Sequence, residues 1–150
     1  MKKSQRIQTI VDIKAQQEQK SLEALGETLR RHQEAIQQLE HLVQYRQEYL
    51  DKFQNNASVG MSVTVLVDFR AFIEKLDQAI AGQAQLVQQA ELEVMNKRKN
   101  WENKHQHTQS LQKVFDGIVA EEHKLENKRE QAESDDRSSR STRGQSMNGI

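Results

Sequence analysis

The chain has 150 residues, 22 basic and 22 acidic side chains and hence a formal net charge of zero; 35% of residues are apolar, 5% aromatic, and there is no proline or cysteine. An ordinary globular domain carries about 45–50% apolar residues with glycine counted, so a thick hydrophobic core is excluded. Disulfides, thiol catalysis and cysteine-based zinc sites are excluded as well, and the balanced charge speaks against bulk nucleic-acid binding.

At the N-terminus, Met1-Lys2-Lys3 runs into Ser4, Gln5 and Arg6 with no apolar stretch of the kind a signal peptide needs. The longest uncharged apolar run, Val63 to Val67, is far short of the ~20 residues that cross a bilayer. The expectation is a cytoplasmic protein without direct membrane insertion. Glutamine, alanine, glutamate, lysine, leucine and arginine dominate, and all of them lose little rotamer freedom in a helix.

Periodicity decides between long helices and disorder. From Leu22, steps of seven give Leu29, Ile36, Val43 and Leu50, with the mixed companions Leu25, His32, Leu39, Arg46 and Phe53; a weaker stripe extends back through Val11 toward Ile10 and Ile7. A second series runs from Leu66 through Ile73, Ile80, Val87, Val94, Trp101, Thr108 and Phe115. Its companions include Phe69, Leu76, Gln83, Ala90, Leu111, Ile118 and Leu125. Repeats this long predict a coiled coil. A first helix is predicted over about 4–54, a turn over 55–62 in which Gly60 relaxes the backbone and Ser62 or Thr64 caps, and a second helix over about 63–133. At ~1.5 Å per residue these helices measure roughly 75 and 105 Å.

A short connection makes the helices antiparallel neighbours. A turn centred near residue 58 sets Leu50 near Leu66, Val43 near Ile73, Ile36 near Ile80, Leu29 near Val87 and Leu22 near Val94. A parallel homodimer uses the same pattern and stays open as an alternative. From Ser134 the sequence turns small, polar and charged, and 134–150 reads as a disordered tail. The expected fold is all-α: a long antiparallel two-helix coiled-coil hairpin over 1–133 with that tail.

Two features exceed what such a fold needs. Gln38, Leu42, Tyr45 and Tyr49 form a stripe about 110° around the first helix from a seam through Ile36, Leu39, Val43 and Leu50. Phe72, Leu76, Ala79 and Gln83 repeat the same four-three-four spacing near the same end. Tyrosines without an internal partner imply a binding surface; extra packing is the competing reading. The second feature is an overhang: beyond about residue 113 the second helix outruns the first, leaving Phe115, Ile118, Val119 and Leu125 for a partner's groove or for fraying.

Catalytic and metal signals are weak. His105 and His107 point to different helix faces, His32 and His41 lie nine apart, and His123 stands among charges, so no ligand set converges. Ser110-Leu111-Gln112-Lys113 matches S-x-x-K without its companion motifs. Lys97-Arg98-Lys99 with Lys104 around Trp101 offers a phosphate contact, the basis of a nucleic-acid-binding alternative, although such runs usually form a wet helix face. The expectation is no enzyme, no cofactor, no metal and no nucleic-acid partner.

Leu25-Gly26-Glu27, Gln38 with Leu42, Tyr45-Arg46-Gln47-Glu48-Tyr49, Phe72-Ile73 with Leu76 and Ala79-Ile80, and Arg98-x-x-Trp101 occur in an order and spacing that resemble the FliJ family, the small coiled-coil component of the flagellar type III protein export apparatus. Arg129-Glu130-Gln131 followed by Asp135-Asp136 resembles the family's late signature, with Ala132 replacing a lysine and Asp136 a glutamate. The resemblance implies a rod similar to the coiled coil of the rotor gamma subunit in rotary ATPases. It implies insertion into the ring of the export ATPase FliI, binding to the export-gate protein FlhA and handling of export chaperones, at the cytoplasmic face of the inner membrane. The gate surface carried over comprises Gln38, Leu42, Tyr45, Tyr49, Phe72, Leu76, Ala79 and Gln83, the last departing from a more usual histidine. The ATPase end corresponds to Ile7, Ile10, Val11, Phe115, Ile118, Val119 and Leu125. The equivalent stalk of a virulence secretion system, or a generic dimeric coiled-coil scaffold, is the alternative.

Overall fold

In the computed structural model the chain forms two helices, α1 (Lys3–Ala57) and α2 (Val63–Asn148), that pack against each other as a hairpin. The structure describes residues 2–57 and 59–148, with side chains through 144. Ser58, expected at the turn centre, and residues 149–150 of the expected tail lie outside the described residues.

The turn follows its local chemistry. The amides of Val59 and Gly60 donate to the carbonyls of Asn56 and Ala57 at 3.1 and 3.2 Å, and Gly60 has φ 92°, a left-handed backbone that a side chain resists. Ser62 then caps α2: its hydroxyl accepts from the Val65 amide at 3.3 Å and its carbonyl from the Leu66 amide at 3.2 Å. Of the two residues expected to cap, Ser62 does so.

Contacts divide the chain into two units, one of Glu18–Asn103 and one of Met1–Gln17 with Lys104–Ile150. In the first unit, α2 packs along the expected line. Leu76 and Val94 are buried, and Leu66, Phe69, Ile73, Ile80, Gln83, Val87 and Ala90 are half-buried. The α1 seam differs from the expected one. Its inward residues are Ser21, Leu25, Thr28, His32, Ala35, Leu39, Leu42, Arg46, Tyr49 and Phe53, an unbroken alternation of four and three. The Leu22, Leu29, Ile36, Val43, Leu50 series flanks this seam, and Leu22, Leu29 and Val43 remain 40%, 40% and 49% exposed. Of the expected α1 positions, the companions Leu25, His32, Leu39, Arg46 and Phe53 lie in the seam, which they share with small or polar residues, while Ile36 and Leu50 of the flanking row are half-buried. Thr28 is tolerated because its hydroxyl donates to the Leu25 carbonyl at 2.8 Å within its own helix.

The register is also shifted. Phe69 and Phe72 meet Tyr49, Asp77 meets Arg46, and Gln83 reaches the Ala35 carbonyl. With the helices ending at Ala57 and starting at Val63, the turn centres on residue 60, and the pairing moves about one helical turn from the one expected.

In the second unit Val11 is buried, while Phe115, Ile118 and Glu122 are half-buried. The Ser4 amide donates to Glu122 Oε1 at 3.2 Å, so α1 accompanies α2 as far as Glu122. The overhang expected from residue 113 therefore starts about ten residues later. α2 also runs past residue 133, where its end was expected. No proline stops it, and Arg137–Glu133 and Arg140–Asp136 ion pairs tie successive turns. All described side chains from 123 to 144 are exposed.

A candidate partner-binding flank

In the Glu18–Asn103 unit five rings form a ladder between α1 and α2. Phe53 stacks on Phe69 with centroids 3.5 Å apart, and Tyr49 stacks on Phe69 at 5.4 Å. Tyr49 also tilts against Phe72 at 4.5 Å, and Tyr45 meets Phe72 edge-on at 6.2 Å. The ladder forms because Tyr45, Tyr49 and Phe53 recur every four residues on α1 while Phe69 and Phe72, three apart, present to the same side of α2. Offset and edge-on ring pairs each contribute about 0.5–1.5 kcal/mol beyond their buried area.

The ladder is graded from inside to outside. Phe53, Phe69, Phe72 and Tyr49 are half-buried, and Tyr45, at its edge, is 49% exposed. Beside Tyr45 lies an open depression of about 400 Å³ lined by Gln38, His41, Leu42, Tyr45 and Gln83. Gln83 Nε2 donates to the Ala35 carbonyl at 3.0 Å, which fixes the amide as one wall. Nearer the turn a second depression of about 310 Å³ is bounded by Tyr49, Lys52, Phe53, Asn56, Met61, Val65, Asp68 and Phe69. Arg46 Nε donates to Asp77 Oδ1 at 2.6 Å, closing the seam with a charge pair.

The eight residues expected to share a surface thus divide. Gln38, Leu42, Tyr45 and Gln83 surround one depression, and Ala79 is exposed. Tyr49 and Phe72 have internal ring partners, Leu42 lies in the seam and Leu76 is 7% exposed, so the expectation that this stripe lacked internal partners is corrected. The cause is the α1 seam itself, which runs through Leu42 and Tyr49. Sequence reasoning missed His41, Phe53, Phe69 and Met61 as lining residues; the four-residue spacing from Tyr45 through Tyr49 to Phe53 was the available signal.

In the other unit, Ile10 and Val119 are exposed, Ile7, Phe115 and Ile118 half-buried and Val11 4% exposed, so Val11 is core. Ser4, Gln5, Gln8, Thr9, Phe115 and Val119 line an open depression of about 470 Å³. Leu125 is exposed beside Lys2, Glu122, Glu126 and Arg129. The Glu122 carboxyl is held below its usual range, first by the hydrogen bond from the Ser4 side chain and then, against the cost of desolvation, by the Ser4 amide and the Lys2 charge. Among the described residues no group of histidine and carboxylate side chains is arranged to hold a metal, and no helix is long and apolar enough to cross a membrane.

Fold and flank define a class: an all-α coiled-coil hairpin with an aromatic edge near its turn and shallow, open depressions in place of a cleft. The chain belongs to the flagellar FliJ family, whose model, described as Flagellar FliJ protein, matches residues 2–146. It is 26% identical over 130 residues to the flagellar FliJ protein of Salmonella typhi, covering 87% of this chain and 88% of the relative. It is 28% identical over 104 residues to that of Escherichia coli strain K12, covering 69% and 71%. No solved structure matches the chain. Family membership makes the protein a component of the flagellar type III export apparatus, acting in flagellum assembly.

Proposed function

We propose that the protein is a non-enzymatic coupling factor of flagellar export, joining the ring of the export ATPase FliI to the export-gate protein FlhA and handling export chaperones at the cytoplasmic face of the inner membrane. The observation that carries this reading is the outer edge of the ring ladder. Tyr45 is 49% exposed while resting on Phe72, next to a depression with an apolar floor and polar walls from Gln38, His41 and Gln83. A rigid aromatic at the rim of an open concavity is the arrangement that anchors a partner protein. Catalysis asks for a site that excludes water, which open depressions between two helices do not provide.

The gate engages Tyr45, Gln38, Ala79 and Gln83 from solvent, with Tyr49, Phe72, Leu42 and Leu76 holding them in place from beneath. The ATPase ring engages the other unit through Ile7, Ile10, Phe115, Ile118, Val119 and Leu125, with Val11 as support. The decisive experiment measures binding of the purified chain to the cytoplasmic part of the gate protein and to the ATPase. Tyr45→Ala is expected to weaken gate binding at least tenfold, with ATPase binding and far-UV helicity unchanged. Undiminished gate binding would move the site elsewhere.

A further inference from the structure

The Leu22, Leu29, Ile36, Val43, Leu50 row is left over by the fold. It lies beside the seam, on the opposite flank of α1 from Tyr45: Val43 and Tyr45 project about 160° apart at 100° per residue. Leu22, Leu29 and Val43 are 40–49% exposed, and Ile36 and Leu50 are half-buried. We infer that this row is a self-association face, on which α1 of a second copy of the chain packs antiparallel with Ile36 at the two-fold axis.

Four properties point to a second copy. The row repeats every seven residues over 28 residues of helix, so only another helix in coiled-coil register matches it along its length. Its outer neighbours, four residues further on, are Gly26, Gln33, Glu40, Gln47 and Gln54, all exposed and with one charge among five, so little is lost on removing them from water. Nothing lies within 4 Å of where a Gly26 side chain would begin, which leaves room for a close backbone. The order Leu-Leu-Ile-Val-Leu reads almost the same in both directions. An antiparallel copy therefore sets Leu22 on the second copy's Leu50, Leu29 on its Val43 and Ile36 on its Ile36, as an isologous contact requires.

Five partly covered aliphatic side chains fall well short of the ~800 Å² per partner of a standard interface, so the dimer is weak, with a dissociation constant on the order of 10–1,000 µM. The salt dependence is signed. In α2 the seam neighbours on this flank are Asp77, placed there by its pair with Arg46, and, at seven-residue steps from it, Arg70, Ala84, Glu91 and Arg98. The antiparallel copy brings like charge near like, so added salt tightens the association by screening.

Sedimentation equilibrium of the full chain is expected to show the weight-average mass rising from 17.4 kDa toward twice that value with concentration, and rising further with added salt. The Leu29→Lys, Val43→Lys double variant, changed at exposed positions, stays at the lower mass with unaltered far-UV circular dichroism, while Tyr45→Ala self-associates as the parent does. The absence of cysteine permits a test of geometry. Ile36→Cys is expected to cross-link to itself on oxidation, and Leu22→Cys only when mixed with Leu50→Cys. A constant mass at millimolar concentration, a dimer surviving the double lysine variant, weakening by salt, or self-cross-linking of Leu22→Cys would each overturn the inference.

Discussion

Tyr45 and Tyr49 sit one turn apart on the same helix yet belong to different categories of residue. Tyr49 lies between Phe69 and Phe72, and Tyr45 caps the edge of Phe72 from solvent. Tyr49→Ala is expected to cost about 2 kcal/mol of stability, read as a lower denaturation midpoint, because it opens a gap inside the ladder. Tyr45→Ala is expected to cost less, about 0.5–1.5 kcal/mol, because Tyr45 has a single edge-on ring partner and is 49% exposed. The same separation governs charge. Glu122 has its carboxyl pKa lowered by the Ser4 contact, so the stabilisation it provides is present above the ordinary carboxyl value of 4.5 and is lost as the pH falls through the lower, folded-state value. Acidification below pH 4.5 is expected to release the start of α1 from Glu122, and Glu122→Gln to remove that pH response; amide exchange at residues 4–9 measures both.

Elements were more legible than contacts. The absence of proline, the seven-residue repeats and the Gly60–Ser62 cluster placed both helices and the turn to within three residues, apart from the end of α2. The turn carries its own prediction. Gly60→Ala is expected to cost ~1 kcal/mol or more, since φ 92° suits no L side chain, and Ser62→Ala about 1 kcal/mol through loss of the Val65 cap; thermal melts of each variant test this. The α2 seam was readable because large apolar residues fill it, whereas the α1 seam was hidden. Ser21, Thr28, His32 and Arg46 occupy it, and the purer apolar row runs alongside. Hydrophobic pattern counting selects the greasier of two parallel rows, but packing selects the row whose small members let the helices approach. That displacement explains why Leu42 and Tyr49 looked unpartnered in the sequence. Gln83 reaching a backbone carbonyl had no signal in the sequence at all.

At the scale of the whole molecule, the family match spans residues 2–146, while among the described residues the packed side chains stop near Glu122. Deleting residues 134–150 is therefore expected to leave the unfolding free energy within about 0.5 kcal/mol of the parent, read from denaturant melts, so any loss of export from such a truncation reports a contact with another component. The unequal filling of the α1 seam has a kinetic consequence within the Glu18–Asn103 unit. Stacked rings fasten its closed end, and hydroxyls at Ser21 and Thr28 occupy the other. Local opening within that unit should therefore be easier around Ser21 and Thr28 than among the rings, as a seam gives first where its stitches are lightest. Amide protons around Leu42 and Leu76 would then be the last to exchange with deuterium.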